Sequence, residues 1–291
     1  MRNKIVIGTA KFGMGYGIGD IAYRTVEEEV KRLVEYCAKQ GLNTFDTAPD
    51  YGESEQLLGK ICPNGPKVVT KMEKLEKDEI CNDCIMALDV GFQRSLRRLG
   101  TASVYGLLVH NVADLYKPGV EKVIDWMQGL KDRGLVKKMG VSIYSQQEIE
   151  DFYGRYDFDL IQLPINLFDQ RLIVSGTLDW LSAKGVEIHA RSLFMKGLLL
   201  KQAFPSVADE VLRAHHHEFF SYLTDSSLDP FDVCMGFARK QQKVDRWVLG
   251  FSNVEQLRQV VEWEGARVDD EICYENWALA SPGSLDPRLW G

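Results

Sequence analysis

The sequence predicts one (β/α)8 barrel over residues 1–291, an α/β fold of the TIM-barrel class in a single domain. Three observations carry that expectation. A charged amphipathic segment ending in glycine runs straight into a β-branched or apolar segment four times: AKQG before LNTFDT, RRLG before TASVYGLLVH, KDRG before LVKKMGVS and SAKG before VEIHARS. Glycine stops a helix by taking the left-handed conformation cheaply, so each junction reads as helix, stop, strand. Segments near 4–8, 43–46, 67–71, 105–109, 138–142, 160–164, 186–190 and 246–250 read as strands, and strands alternating with helices in this number favour a closed barrel over an open sheet. Finally, no stretch rich in Pro, Gly or Ser marks a domain boundary.

The helices follow from the 3.6-residue period. Val30, Leu33, Val34 and Cys37 share one face, as do Val123, Ile124, Met127 and Leu130, and later Val254, Leu257 and Val261. Thr25 followed by Glu28 is expected to open the first of these helices as a capping box. The stretch 201–245 is longer than one helix needs and is expected to hold extra helical turns or a flexible loop before the last strand.

Composition bounds the function. A chain of 291 residues, 45% hydrophobic and 26% charged, is long enough to bury one large core. A net charge of −7 argues against a general binder of nucleic acid or acidic membrane, which needs a basic face. The N-terminal MRNKIVIGTAKFG lacks a leader-like apolar run, and no stretch reaches the ~18 apolar residues of a membrane span, so the cytoplasm is the expected compartment. Cysteines at 37, 62, 81, 84, 234 and 273 are scattered, and most are expected to be reduced and buried.

Barrel enzymes place reactive groups at the C-terminal ends of strands, and polar residues recur there. Asp46 closes the second strand with Tyr51 in its loop, Lys71 closes the third, His110 follows the fourth and Ser142 closes the fifth, while Gln162 and Asn166 lie on and after the sixth. Singly, each has a bland reading: a strand-end aspartate is often a helix cap, a lysine is usually solvated, and a histidine among apolar residues is usually a satisfied core group. Recurrence in successive units points instead to a site. In VVTKM the ammonium of Lys71 follows an apolar strand; facing inward, it would stabilise a neighbouring phenolate and lower the pKa of Tyr51, with Asp46 holding the lysine charged. Tyr51 would then serve as a general acid near neutral pH.

These residues resemble the catalytic tetrad of the aldo-keto reductases: Asp46 and Tyr51 in FDTAPDYGESEQLLG, Lys71 in VVTKM and His110 in LLVHN. The likeness, closest to bacterial members, continues through GVSIY, QLPINLFDQR, ARSLFMKGLLL and LGFSNVEQL over nearly the whole chain. It implies an NAD(P)H-dependent oxidoreductase that reduces a small aldehyde or ketone, Tyr51 protonating the carbonyl oxygen and His110 orienting the substrate. It further implies that Ser142 and Gln162, with Asn166 beside them, hold the nicotinamide carboxamide. Ser192 and Leu193, Lys196 and Leu198, then Gly250, Phe251, Ser252, Asn253 and Gln256, would surround the pyrophosphate and the adenosine ribose. NADP(H) is expected over NAD(H), with Arg258 the nearest cation for a 2′-phosphate. Ile143 stands where the family usually has Asn, and Arg191 where many members stack an aromatic on the nicotinamide, so Arg191 is expected in that platform. Phe12, Tyr16, Met72, Tyr274, Trp277 and Trp290 form the expected substrate walls.

Other signals are set aside. GMGYGIGD does not complete a dinucleotide-binding glycine loop and reads as a loop near the substrate mouth. Cys81 and Cys84 lack the further ligands of a zinc site, and His215, His216 and His217 are consecutive and cannot share a helix face, so no metal is expected. Two further readings stay open: a non-catalytic, cofactor-sensing or partner-binding barrel, and the redox step of a sugar epimerisation.

Overall fold

Parallel strands β1 (Ile5–Gly8), β2 (Thr44–Asp46), β3 (Lys67–Lys71), β4 (Val104–Val109), β5 (Val136–Ser142), β6 (Leu160–Pro164), β7 (Glu187–Arg191) and β8 (Arg246–Gly250) pair in chain order and close into a barrel. The computed structural model describes residues 1–17, 24–62, 65–204, 209–265 and 272–286. Trp290 and the end of GMGYGIGD lie outside them. The intervening helices are α1 (Ala10–Gly13), α2 (Glu27–Lys39), α3 (Ser54–Ile61), α4 (Asn82–Leu99), α5 (Glu121–Asp132), α6 (Gln146–Phe152), α7 (Arg171–Val174), α8 (Thr177–Ala183), α9 (Glu210–Asp225), α10 (Pro230–Lys240), α11 (Val254–Val261) and α12 (Pro282–Leu285).

The register sets Gly8 beside both Asp46 and Gly250, Lys71 beside Leu108, Ser142 beside Gln162, and Pro164 beside Arg191. One rim therefore collects the strand C-termini. The helices bury the expected stripes: Val30, Leu33, Val34 and Cys37 on α2, and Val123, Met127 and Leu130 on α5. Two positions differ: Trp126 is fully packed on α5 where Ile124 is half-buried, and α11 buries Leu257 and Val260 rather than Val261. The capping box at Thr25 does not form. Helix α2 starts at Glu27 with Val26 as N-cap, because the backbone N–H of Thr25 donates to the Lys11 carbonyl at 2.7 Å and ties that residue to α1. Within 201–245 lie α9 and α10, each opened by an aspartate, Asp209 and Asp229, whose side chain accepts from first-turn amides.

At the opposite mouth the interior is ionic. Glu187 accepts from Lys138 at 2.6 Å, sits 2.7 Å from His189 and also accepts from Tyr105, so side chains from β4 and β5 reach across to β7. Burial alone would raise the Glu187 carboxyl, but hydrogen bonds from His189, Lys138 and Tyr105 overcome it and hold the group well below the carboxylate range. All six cysteines are free thiols, of which Cys37, Cys84 and Cys234 are buried. Among the described residues no helix is long and apolar enough to cross a membrane, and no group of three His, Cys, Asp or Glu side chains is placed to hold a metal ion.

Candidate active site

At the C-terminal rim, Lys71 is buried and gives its ammonium to Asp46 Oδ1 at 2.8 Å and to the Thr47 carbonyl at 2.8 Å. The other oxygen of Asp46 accepts from Gln162 Nε2 at 2.7 Å. Lys71 Nζ lies 5.1 Å from the ring centre of Tyr51, and the Tyr51 and His110 rings meet edge to face at 6.0 Å. The structure thus gathers Asp46, Tyr51, Lys71 and His110 from three consecutive strand ends. Burial, and then the Asp46 carboxylate, push the Tyr51 phenol well above its ordinary value. The expected net lowering is not seen here, because burial and the Asp46 carboxylate outweigh the neighbouring positive charge. Burial, then Lys71, depress the His110 imidazole to about 4, and its Nδ1 lies 3.3 Å from Asp50 Oδ2. At neutral pH Tyr51 is a phenol and His110 a neutral ring.

The loop carrying Tyr51 is held by its neighbours. Ser54 donates to the Thr9 carbonyl at 3.0 Å and lies 3.1 Å from the Thr47 hydroxyl, and the Thr9 hydroxyl donates to the Asp46 carbonyl at 2.9 Å. Gly13 lies against this loop so closely that a Cβ there would be 1.8 Å from the Tyr51 carbonyl oxygen and 2.5 Å from the Ser54 nitrogen. The glycine segment, expected as a loop near the substrate mouth, begins at Gly13 with the end of α1 and a backbone-to-backbone contact.

From Asp46, Tyr51 and Gln162 a cleft of about 410 Å³ runs between the β7 and β8 loops, within the usual range for a small-molecule site. Its walls include Tyr16, Arg191, Ser192, Leu193 and Lys196 on one side and Gly250, Phe251, Ser252 and Gln256 on the other. The β7 loop is left-handed at Ser192 (φ 66°), Met195 (φ 48°) and Lys196 (φ 56°), none of them glycine. Arg191 lies over the Tyr144 ring at 4.1 Å and donates to the Ile143 carbonyl at 3.2 Å.

Other expected residues lie elsewhere. Arg258 is on the outer face of α11, 3.3 Å from Glu255 and over the Tyr36 ring, and does not line the cleft. Asn253 caps α11 by accepting from the Gln256 backbone, and Asn166 turns its chain by accepting from the Phe168 and Asp169 amides. Ser142 and Leu198 are buried away from the cleft walls. Phe12, Met72, Tyr274 and Trp277 are core residues rather than cleft walls: Trp277 packs 5.1 Å from Phe219 of α9, and Tyr274 lies 5.9 Å from Phe237 of α10. Lys11, in contrast, was not anticipated. It is buried on the cleft wall and donates to Ser252 Oγ at 2.7 Å, and burial, then Lys201, lower its ammonium. Asp229, Phe231 and Gln259 also line the cleft, and their positions within otherwise ordinary helical patterns gave no signal of it.

A family model described as the aldo/keto reductase family matches residues 4–273. The chain belongs to that family. The reductase is 24% identical to 6-dehydroglucose reductase of Agrobacterium fabrum over 96% of each chain, and 24% identical to D-arabinose 1-dehydrogenase of Saccharomyces cerevisiae over 78% of this chain and 73% of the yeast protein. Among solved structures it resembles an aldo-keto reductase of Bacillus halodurans in its holo form, with a TM-score of 0.75 and 18% identity over 96% of this chain and 93% of that one. A glycerol dehydrogenase of Gluconobacter oxydans shares the fold with a TM-score of 0.70 and 19% identity over 94% of this chain and 90% of that one. The reductase is thus an NAD(P)H-dependent oxidoreductase acting on carbonyl groups of small molecules.

Proposed function

We propose that the protein reduces an aldehyde or ketone with NADP(H) held along the cleft, Tyr51 donating the proton. The observation that carries this reading is the buried Lys71–Asp46 pair beside the Tyr51 ring at the head of a cleft whose walls bring Lys11 and the Ser252 hydroxyl together. A buried cation beside a hydroxyl suits phosphate oxygens, and both stand on the wall of the same cleft that Tyr51 lines. When bound, the reduced nicotinamide supplies hydride to the carbonyl carbon.

The protein's own groups do the rest. Asp46 holds the Lys71 ammonium in place, and with two of its three donors used by Asp46 and Thr47, one N–H is left to turn toward the phenol oxygen. That N–H stabilises the charge that grows on Tyr51 as its proton leaves. Neutral His110, beside Asp50, donates its ring N–H to the substrate carbonyl oxygen without adding charge. Gln162 and Arg191 face the same end of the cleft, Arg191 as the nicotinamide platform.

Replacing Tyr51 with Phe removes the hydroxyl alone. Turnover is expected to fall by ~10²-fold or more while cofactor titration stays unchanged. Wild-type turnover in Tyr51→Phe overturns the assignment.

A further inference from the structure

A second reactive centre lies away from the cleft, at the start of α4. Cys81 is the N-cap residue of that 18-residue helix and Cys84 its third residue, and their sulfurs are 3.4 Å apart. Lys77 places its ammonium 3.5 Å from Cys81 Sγ. Cys81 is half-exposed and Cys84 is buried, its sulfur 3.8 Å from the Glu79 carbonyl oxygen. We propose that Cys81 and Cys84 form a dithiol site that exchanges with low-molecular-weight disulfides and closes reversibly into an intramolecular disulfide.

The geometry fits each step. Closing a 3.4 Å gap to a bond of about 2.05 Å requires a small rotation of the half-exposed Cys81 side chain, and residues three apart at a helix start are within bridging distance. Cys81 is the attacking thiol, since it is the accessible one and has a cation beside it. The Cys84 backbone N–H and thiol, with Lys77, bring it down to about 7, so a large fraction is thiolate at neutral pH. Its thiolate attacks one sulfur of the small disulfide, forming a mixed disulfide and expelling one thiolate. Cys84 then loses its proton to solvent and attacks Cys81 Sγ, expelling the second thiolate. The protein loses two electrons and two protons; the small disulfide gains both and leaves as two thiols. Among the described residues no third ligand completes a metal site here.

The test uses glutathione as the probe and exposed Cys273 as an internal control. The full-length protein is equilibrated across ratios of oxidised to reduced glutathione, acid-quenched, alkylated, digested and analysed by mass spectrometry. The peptide carrying both cysteines is expected to lose two hydrogens in a ratio-dependent and dithiothreitol-reversible way, whereas Cys273 stops at the mixed disulfide. In Cys84→Ser, Cys81 is expected to stop there as well. Near pH 7, iodoacetamide is expected to modify Cys81 about tenfold faster than Cys273, and Lys77→Gln to reduce that advantage. The proposal fails if the linked peptide is absent at ratios that glutathionylate Cys273. It also fails if Cys84→Ser leaves Cys81 unmodified, or if Cys81 reacts no faster than Cys273.

Discussion

Lys11 is the side chain on which the cofactor reading turns. With Arg258 engaged by glutamates on the outer face of α11, the cation at the Ser252 end of the cleft is buried Lys11. Lys11→Met is expected to weaken NADPH binding by ten- to a hundredfold, the scale of one lost charge-assisted phosphate contact of ~1.5–3 kcal/mol, and NADH much less. Equal losses in a fluorescence titration would assign Lys11 to the pyrophosphate common to both and remove the basis for NADP(H). The pH profile is a second residue-scale consequence. Burial keeps Tyr51 protonated through the alkaline range, and His110, depressed to about 4, keeps its neutral form until the medium is acid. The rate of reduction is therefore expected to stay level from about pH 5 to 9 and to fall only as His110 gains its proton. An acid limb near the ordinary histidine value of about 6.5 would show that His110 is not in the environment described. Much of this site was readable from sequence. Asp46, Tyr51, Lys71 and His110 fall at strand ends, and strand ends follow from period and glycine stops. Lys11 was not readable, since its partner Ser252 is 241 positions away and only barrel closure joins the first strand to the last.

Elements meet most tightly where α1 touches the Tyr51 loop. A methyl group at Gly13 would overlap the backbone of Tyr51 and Ser54, which cannot swing aside as a side chain could. Gly13→Ala is expected to cost about 1–3 kcal/mol in chemical denaturation and to lower kcat by displacing the phenol. Gly129→Ala is its control, in mid-α5 with nothing within 4 Å of the added carbon, where replacing glycine should be neutral or stabilise by up to about 1 kcal/mol. Similar effects at both positions would mean that the contact at Gly13 does not constrain Tyr51. Strands were legible because a short apolar run bounded by glycine and charge has one good solution in a barrel. Helix faces were legible to within a residue, as Trp126 and Val260 show. What covers a loop was not: Tyr274 and Trp277 read as aromatic walls of an open mouth until α9 and α10 fold over them. Likewise, Thr25 resembles a helix cap until its backbone is claimed by Lys11.

Across the molecule the two mouths of the barrel divide labour, one open to ligand and the other closed by charges. Glu187→Gln keeps the shape but leaves Lys138 and His189 without their carboxylate, and losing the charged partner of these part-buried hydrogen bonds costs about 1–3 kcal/mol. Because the folded carboxyl sits below its unfolded value, its contribution is complete above about pH 5 and is lost as pH falls toward the folded value. Denaturation curves should therefore separate wild type from Glu187→Gln near neutral pH and converge in acid. A constant gap would place the stabilisation in packing instead. The open mouth carries the opposite arrangement. Ser192, Met195 and Lys196 hold a conformation that side chains disfavour by roughly 1–2 kcal/mol each, and they do so in the stretch that lines the cleft. Glycine at Lys196 would relieve part of that strain, so hardening this barrel against heat and keeping its ligand contacts are competing demands on the same few residues. A lineage moving to hotter water would face that choice in the β7 loop, while the ionic mouth, remote from the cleft, could be strengthened with little effect on binding.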